Sequence, residues 1–285
     1  MSNMIMILGV VFLSCVQNIC KKQYTLKYNF GVLTFNAICT LFAFFFFLIV
    51  GGSLEWNWTY FPYSALYGVV YAVSMNALHM AITNGSLAIT SLVLAYSLVI
   101  PALYGLFVLK EQVGVAQYFG MVLVLISLYL VRGVKEKEYS VKVTYKWIIY
   151  TILAFLGNGM CAVLQKEQQR VLGGVYDNSF MVFALGIAAL LQIFAAILSE
   201  RKEVSTVIKC GGALAGIFGI SNGIINYLLL LLMAVAATSV TFPAISAGQL
   251  VGAFLVSVIL YKEKFAFRQL IGFICGVATL ILLNL

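Results

Sequence analysis

Few residues of this apolar chain could do chemistry. The single histidine, His79, shares a helix face with Asn76, three residues earlier. Its neutral imidazole can hydrogen-bond a ligand, and its titration range would allow a proton-linked step; the structural alternative is a bond to a neighbouring helix. Amides form the second group: Asn18, Asn36, Asn76, Asn158, Gln165, Gln192, Asn222, Asn226 and Gln249, with Gln17 beside Asn18. An unpaired amide in hydrocarbon is costly, so these must face one another or a wet cavity. Asn222 and Asn226, four apart, share a second face. Tyrosines add a third layer: Tyr67 and Tyr71, again four apart, Tyr96, and Tyr227 beside Asn226. Tyrosine offers apolar area plus one hydrogen bond, which suits a neutral amphipathic or zwitterionic ligand.

All nine acidic residues (Glu55, Glu111, Glu136, Glu138, Glu167, Asp177, Glu200, Glu203 and Glu263) fall at the ends of apolar runs or between them. A proton-coupled exporter that works through a membrane-buried carboxylate of its first helix is thereby disfavoured; MIMILGVVFLSCVQNIC offers Gln17 and Asn18 instead. One histidine, no Cys-His or Ser-His spacing and no metal-ligand cluster argue against an enzyme, and neither a cofactor nor a metal is expected. The expected substrate-binding set is Gln17, Asn18, Tyr71, Asn76, His79, Tyr96, Asn158, Asn222, Asn226 and Gln249, a polar but uncharged lining.

These residues must be positioned by membrane helices. The chain is 63% hydrophobic and 9% charged, with a mean hydropathy of +1.06, where a water-soluble chain keeps roughly a quarter of its residues charged. Ten spans are expected, near residues 4–20, 29–50, 62–83, 86–109, 112–131, 145–165, 178–199, 210–233, 237–260 and 266–285. The net charge of +8 sits beside span ends, where lysine and arginine snorkel to headgroups, and does not imply nucleic acid. The six cysteines lie in or next to apolar runs and read as packing residues. No basic residue precedes Met4–Cys20 and no small-residue cleavage site follows it, so a cleaved signal peptide is not expected.

The chain repeats itself. Shifted by about 152 residues, Thr238–Leu283 falls on Ser86–Val131: Lys262-Glu263 meets Lys110-Glu111, Gln269 meets Gln117, and Gly272 meets Gly120. Phe155-Leu156 through Lys166 echoes Phe12-Leu13 through Lys22. The halves are residues 1–131 and 145–285, joined by the polar linker 132–144. Five spans is an odd number, so the second half enters the membrane from the opposite side. The expected fold is all-α, ten transmembrane helices arranged as two inverted five-helix repeats, an arrangement carriers use to reach two states of similar energy. The alternative is a static bundle left by gene duplication. By the positive-inside rule fourteen basic residues against three place both termini outside.

Gly212-x-x-x-Gly216, Gly219-x-x-x-Gly223, Gly248-x-x-x-Gly252 and Gly272-x-x-x-Gly276 would let helices approach closely, either within the carboxy half or at a homodimer seam on the last span. Pro101 and Pro243 each interrupt the fourth span of their half, beside a cavity or at a packed kink. Trp56, Trp58, Tyr60, Tyr63 and Trp147 read as interfacial anchors. Lys21, Lys22 and Lys166 end the first and sixth spans; they either draw an anionic solute to the cavity mouth or snorkel, and snorkelling is the expectation. Glu111 and Glu263 are expected to bond turn amides or neighbouring lysines.

At the tandem Lys-Glu-x5-Gln-x2-Gly elements, Lys110-Glu111…Gly120 and Lys262-Glu263…Gly272, the chain resembles the drug/metabolite transporter superfamily in its ten-helix EamA-like branch. Pro101, Thr83-Asn84-Gly85-Ser86 and Ala236-Ala237-Thr238-Ser239 extend the resemblance. It implies a ten-helix basket whose cavity is lined by the first, third, fourth, sixth, eighth and ninth helices, with the fifth and tenth peripheral. It also implies cytoplasmic termini, against the charge bias. The expected function is a multi-pass secondary carrier in the plasma membrane that moves a small polar or amphipathic metabolite by alternating access, uniport or exchange rather than acid-coupled antiport. A flippase for a lipid-linked substrate and a non-transporting scaffold are the alternatives.

Overall fold

The computed structural model describes residues 3–28, 30–51, 54–84, 90, 93–94, 96–112, 114–131, 144–261 and 267–283. The linker 132–143, Gly85-Ser86, Lys262-Glu263 and the side chains of Lys22, Thr83 and Gln269 lie outside that description. The described residues form ten helices: α1 (Asn3–Tyr28), α2 (Val32–Val50), α3 (Phe61–Asn84), α4 (Val99–Phe107), α5 (Val115–Val131), α6 (Tyr145–Leu172), α7 (Asp177–Glu200), α8 (Val204–Val235), α9 (Thr238–Tyr261) and α10 (Phe267–Leu283). Five of them, α1 (through Lys21), α2, α6, α7 and α8, are long and apolar enough to cross a membrane. The apolar runs make the helices and the polar punctuation ends them. Thr144 caps α6 by accepting from the Trp147 amide at 3.3 Å, and Gly173 closes it in the left-handed conformation at φ 60°.

Directions follow from paired contacts. Along α1 and α8, Gly9 lies by Leu228 and Gly211 by Tyr24, so these helices are antiparallel. Along α6 and α8, Gln165 bonds Asn226 and Gln169 bonds Leu230, so these are parallel. The first helices of the two halves, α1 and α6, therefore run in opposite directions. Three further corresponding pairs meet head to tail: Thr34 with Glu200 and Thr40 with Gln192 for α2 and α7, Tyr67 with Asn226 and Tyr71 with Asn222 for α3 and α8, Ser127 with Gly272 and Tyr129 with Arg268 for α5 and α10. Packing follows the same exchange: α3 packs on α6 as α8 does on α1, and α4 packs on α6 as α9 does on α1.

Close approach uses the glycines. A Cβ at Gly219 would stand 2.3 Å from the Cys39 carbonyl oxygen, and one at Gly248 2.5 Å from Val11 Cγ2. Gly212 faces nothing within 4 Å. The glycine face of the last helix is occupied within the chain: Gly272 and Gly276 are buried, and the Gly272 carbonyl accepts from Ser127 Oγ of α5 at 2.6 Å. A homodimer through α10 would have to use its other face, where Ile274 and Ile281 are exposed. Tyr60, expected at the interface, is fully buried and donates to the Glu55 carbonyl. Trp147 does reach a hydroxyl, donating through Nε1 to Thr90 Oγ1 at 2.9 Å.

Candidate functional site

The polar residues converge on a seam between α3, α6 and α8. Asn226 Oδ1 accepts from Gln165 Nε2 at 2.9 Å and from Tyr67 Oη at 3.2 Å, while Asn226 Nδ2 donates to Asn222 Oδ1 at 2.8 Å. Tyr71 Oη reaches Asn222 Oδ1 at 3.5 Å. Gln165, Tyr67 and Asn226 are buried; Tyr71 and Asn222 are only partly so, which makes them the open edge of the chain of bonds. Beside it, Thr40 Oγ1 lies 2.6 Å from Gln192 Oε1. The i, i+3, i+4 spacing that puts Gln165, Gln168 and Gln169 on one face of α6 continues the seam: Gln169 Nε2 donates to the Leu230 carbonyl at 3.3 Å and to Asp177.

The expected partners across α3 and α8 are corrected by this register. Tyr67 and Tyr71, not Asn76 and His79, meet Asn226 and Asn222, because the antiparallel pairing carries Asn76 and His79 further along α3. Both are partly buried there, and the Asn76 Oδ1 atom is buried without a hydrogen-bond partner. Gln17 faces α8 and donates to the Phe218 carbonyl at 3.4 Å. Asn18 is exposed, one residue off the face that carries Gln17, Cys20, Lys21 and Tyr24. Tyr96 packs against the apolar cluster around Met6, Val10 and Ile225. Asn158 and Gln249 each reach a serine hydroxyl: Asn158 Nδ2 to Ser97 Oγ at 2.6 Å, and Gln249 Nε2 to Ser14 Oγ at 2.9 Å.

One lysine departs from expectation. Lys166 does not snorkel: its Nζ donates to the Met233 carbonyl at 3.0 Å and stands 3.9 Å from Glu111 Oε1. Lys21 is partly buried on α1, after Cys20, which packs with Cys39 of α2 and Met75 of α3.

The Lys-Glu turn has a definite job. Lys110 adopts φ 52°, an uncommon conformation for a residue with a Cβ. The turn carries the Glu111 carboxylate onto the start of α9, where it accepts from Thr238 N and Oγ1 at 3.0 and 2.6 Å and from Ser239 N and Oγ at 2.8 and 2.6 Å. A carboxylate at a helix N-terminus satisfies amides that have no partner inside the helix. Burial alone would push the Glu111 carboxyl up, but these four donors hold it below its ordinary value. Glu200 caps α2 in the same manner, accepting from the Leu33 and Thr34 amides at 3.0 and 2.8 Å.

The interruption expected at Pro101 falls one turn ahead of it. Ser97 and Leu98 form a turn, the Ser97 carbonyl accepts from Ile100 N at 3.1 Å, and Pro101 sits in the first turn of α4, where a missing amide donor is tolerated. A separate apolar cavity of about 200 Å³ lies between α4, α5 and α9, walled by Leu98, Leu106, Met121, Leu125 and Pro243.

Sequence reasoning placed Gln165, Asn222 and Asn226 among residues that must be partnered. It missed Gln168 and Gln169, which read as a polar helix end in QKEQQR, although the spacing of the three glutamines on one face was a usable signal, and Asp177, which read as the polar start of the next run. It missed Ser14 and Ser97 because a serine in an apolar run carries no signal of its own.

No curated protein matches the chain significantly. Among 28 solved chains that match, one crystal structure superposes with a TM-score of 0.77 over 99% of this chain and 96% of its own, at 15% identity. That likeness shows the fold alone. Residues 1–133 match the EamA-like transporter family, the branch of the drug/metabolite transporter superfamily that the chain resembles at its Lys-Glu turns.

Proposed function

We propose that this protein is a secondary carrier that moves a small polar or amphipathic metabolite across the plasma membrane by alternating access, as a uniporter or exchanger. The observation that carries the reading is the amide and tyrosine seam from Gln165 to Tyr71, set between halves whose corresponding helices run in opposite directions. Such halves, residues 1–131 and 145–285, can exchange conformations and expose one central site to either side in turn. A static bundle would gain nothing from keeping Tyr71, Asn222, Asn76 and His79 partly open in its interior. We assign substrate contact to Gln17, Tyr71, Asn76, His79 and Asn222, with Asn226 bracing them. Asn158 and Gln249 tie the first helix of each half to the fourth span of the other. The charge bias favours both termini outside and the family resemblance favours the cytoplasm, alternatives that reporter fusions at each end separate.

The lateral cavity between α4, α5 and α9 favours a second reading, a flippase that takes its substrate from the bilayer. The inward bonding of Lys166 to the Met233 carbonyl and toward Glu111 weighs against it by removing a basic group from headgroup level. Proteoliposomes holding the full chain, tested with a metabolite panel and with a headgroup-labelled lipid, separate the readings. A carrier gives saturable solute uptake that empty liposomes lack. Lipid translocation without solute uptake would establish the flippase, and neither activity would leave a scaffold.

A further inference from the structure

The end of α6 and the start of α7 enclose polar atoms that the fold itself does not satisfy. Eight buried side-chain nitrogen and oxygen atoms lack a hydrogen bond among the described residues, and five of them fall on Gln168, Asp177 and Asn178. Buried polar groups nearly always have a partner, so this concentration calls for a ligand. The residues meet at one turn. Gln169 Nε2 donates to Asp177 Oδ2, and Gln168, next to it and fully buried, approaches the same carboxyl without bonding it. Asp177 Oδ1 accepts from no donor. Gly174, at φ 78°, lets the turn pass close: a Cβ there would stand 3.1 Å from Gln169 Oε1 and 3.4 Å from Asp177 Oδ2. The Gln169 amide nitrogen is spent on Asp177 and the Leu230 carbonyl, which leaves its oxygen as a further acceptor.

The charge of this turn is also unanswered. Glu111 stands by Lys166 and Glu167 by Arg170, but among the described residues no lysine or arginine pairs with Asp177. Oxygen ligands carrying one negative charge suit a hard monovalent cation. A proton would satisfy one carboxyl oxygen and leave the Gln168 amide as it is. A divalent ion would keep an unbalanced charge in a partly buried place. The last carbonyls of α6 favour a cation at this end of the helix, and the exposed Gly173 and Val175 give it a way in from water. We propose that Asp177 Oδ1, Gln168 Oε1 and Gln169 Oε1 bind a sodium or potassium ion at the α6–α7 turn. The site does not depend on the carrier reading, since its occupancy can be measured without transport.

The test uses the purified full chain in detergent. Its unfolding temperature is followed as sodium or potassium chloride replaces choline chloride at constant ionic strength. At least one of the two salts should raise it saturably. The chain should also retain radioactive sodium or rubidium, displaced by the unlabelled salt and not by choline. Asp177→Asn should weaken that affinity about tenfold or more. Gln168→Met, which keeps the volume and removes the oxygen, should weaken it about threefold or more. Comparable unfolding temperatures in choline alone establish that a variant folds, and Gln168→Met carries the test by itself should Asp177→Asn not fold. Equal unfolding temperatures in sodium, potassium and choline, with no label retained, overturn the site and leave these atoms to water. A response to calcium chloride alone overturns the monovalent assignment. A sodium or potassium response that Gln168→Met and Asp177→Asn keep in full places the ion elsewhere in the chain and overturns the assignment to these oxygens.

Discussion

Asn158 on α6 donates to the Ser97 hydroxyl at 2.6 Å, and the bond has a counterpart in the other half of the molecule. Gln249 of α9 stands about 152 residues after Ser97, and donates to Ser14 of α1 at 2.9 Å. In each case the serine also donates back along its own chain, Ser97 to the Leu94 carbonyl at 2.6 Å and Ser14 to the Val10 carbonyl at 2.8 Å. Each bond joins the first helix of one half to the fourth span of the other, at Gln249 within α9 and at Ser97 in the turn just ahead of α4. The two ties keep the geometry while trading which helix supplies the amide, so what the halves share here is a placement of polar atoms rather than a residue type.

Each tie should therefore be worth a modest, measurable coupling. A double-mutant cycle of Ser97→Ala with Asn158→Leu, read by unfolding in detergent, should give about 0.6–1.7 kcal/mol, the range found for hydrogen bonds between membrane helices. Ser97→Ala alone should be the worse single change, because it strands the Asn158 amide. Strict additivity would show that the tie is formed no more in the folded chain than in the unfolded one.

Two glycines of α8 make a matched pair. Gly219→Ala would place a methyl 2.3 Å from the Cys39 carbonyl oxygen and 2.6 Å from Phe42 Cβ, with backbone on one side and no flexible group to yield. It should cost about 1–3 kcal/mol of stability. Gly212→Ala meets nothing within 4 Å and should be neutral or stabilising by up to about 1 kcal/mol through helix propensity. Equal midpoints for the two variants in thermal unfolding would refute the packing of α8 on α2.

Helix positions were legible because apolar length and polar punctuation are local properties: each expected run overlaps a described helix, and five of these are long and apolar enough to cross a membrane. Register was not legible. Nothing in the order of Tyr67, Tyr71, Asn76 and His79 says that the first two face Asn226 and Asn222, since that depends on how far α3 slides along α8. Lys166 failed for a related reason: a lysine near a helix end can reach out or in, and the deciding neighbours, Met233 and Glu111, are distant in sequence. The Glu111 turn was legible in kind, as a carboxylate that bonds turn amides, but not in its target, the start of α9.

The seam predicts a split between stability and transport. Asn226→Ala removes the acceptor of Gln165 and Tyr67 and should cost about 1–3 kcal/mol, because buried donors are left unpaired. Tyr71→Phe removes a long bond at the open edge. It should leave the unfolding midpoint unchanged and raise KM about two- to tenfold for whichever solute the proteoliposomes take up, the mark of a contact made to bound substrate. A Tyr71→Phe chain that loses stability and keeps its KM would move Tyr71 from the site into the scaffold.

Glu111 gives the fold a pH dependence of known sign. Its carboxyl titrates below the ordinary value of 4.5 in the folded chain because the Thr238 and Ser239 donors outweigh its burial. A depressed folded value means that the unfolded chain binds the proton more readily, so the stabilisation is complete above the ordinary value and disappears as pH falls through the lower, folded one. Glu111→Gln keeps an acceptor oxygen but loses the charge that favours the helix start. Unfolding midpoints of wild type and Glu111→Gln, compared from neutral pH downward, should differ most at pH 6–7, about 1.5 to 2.5 units above the ordinary value, and converge as the solution becomes more acid than that value. A gap that widens on acidification would reverse the sign and show that the carboxyl, not the carboxylate, is the form that holds α9.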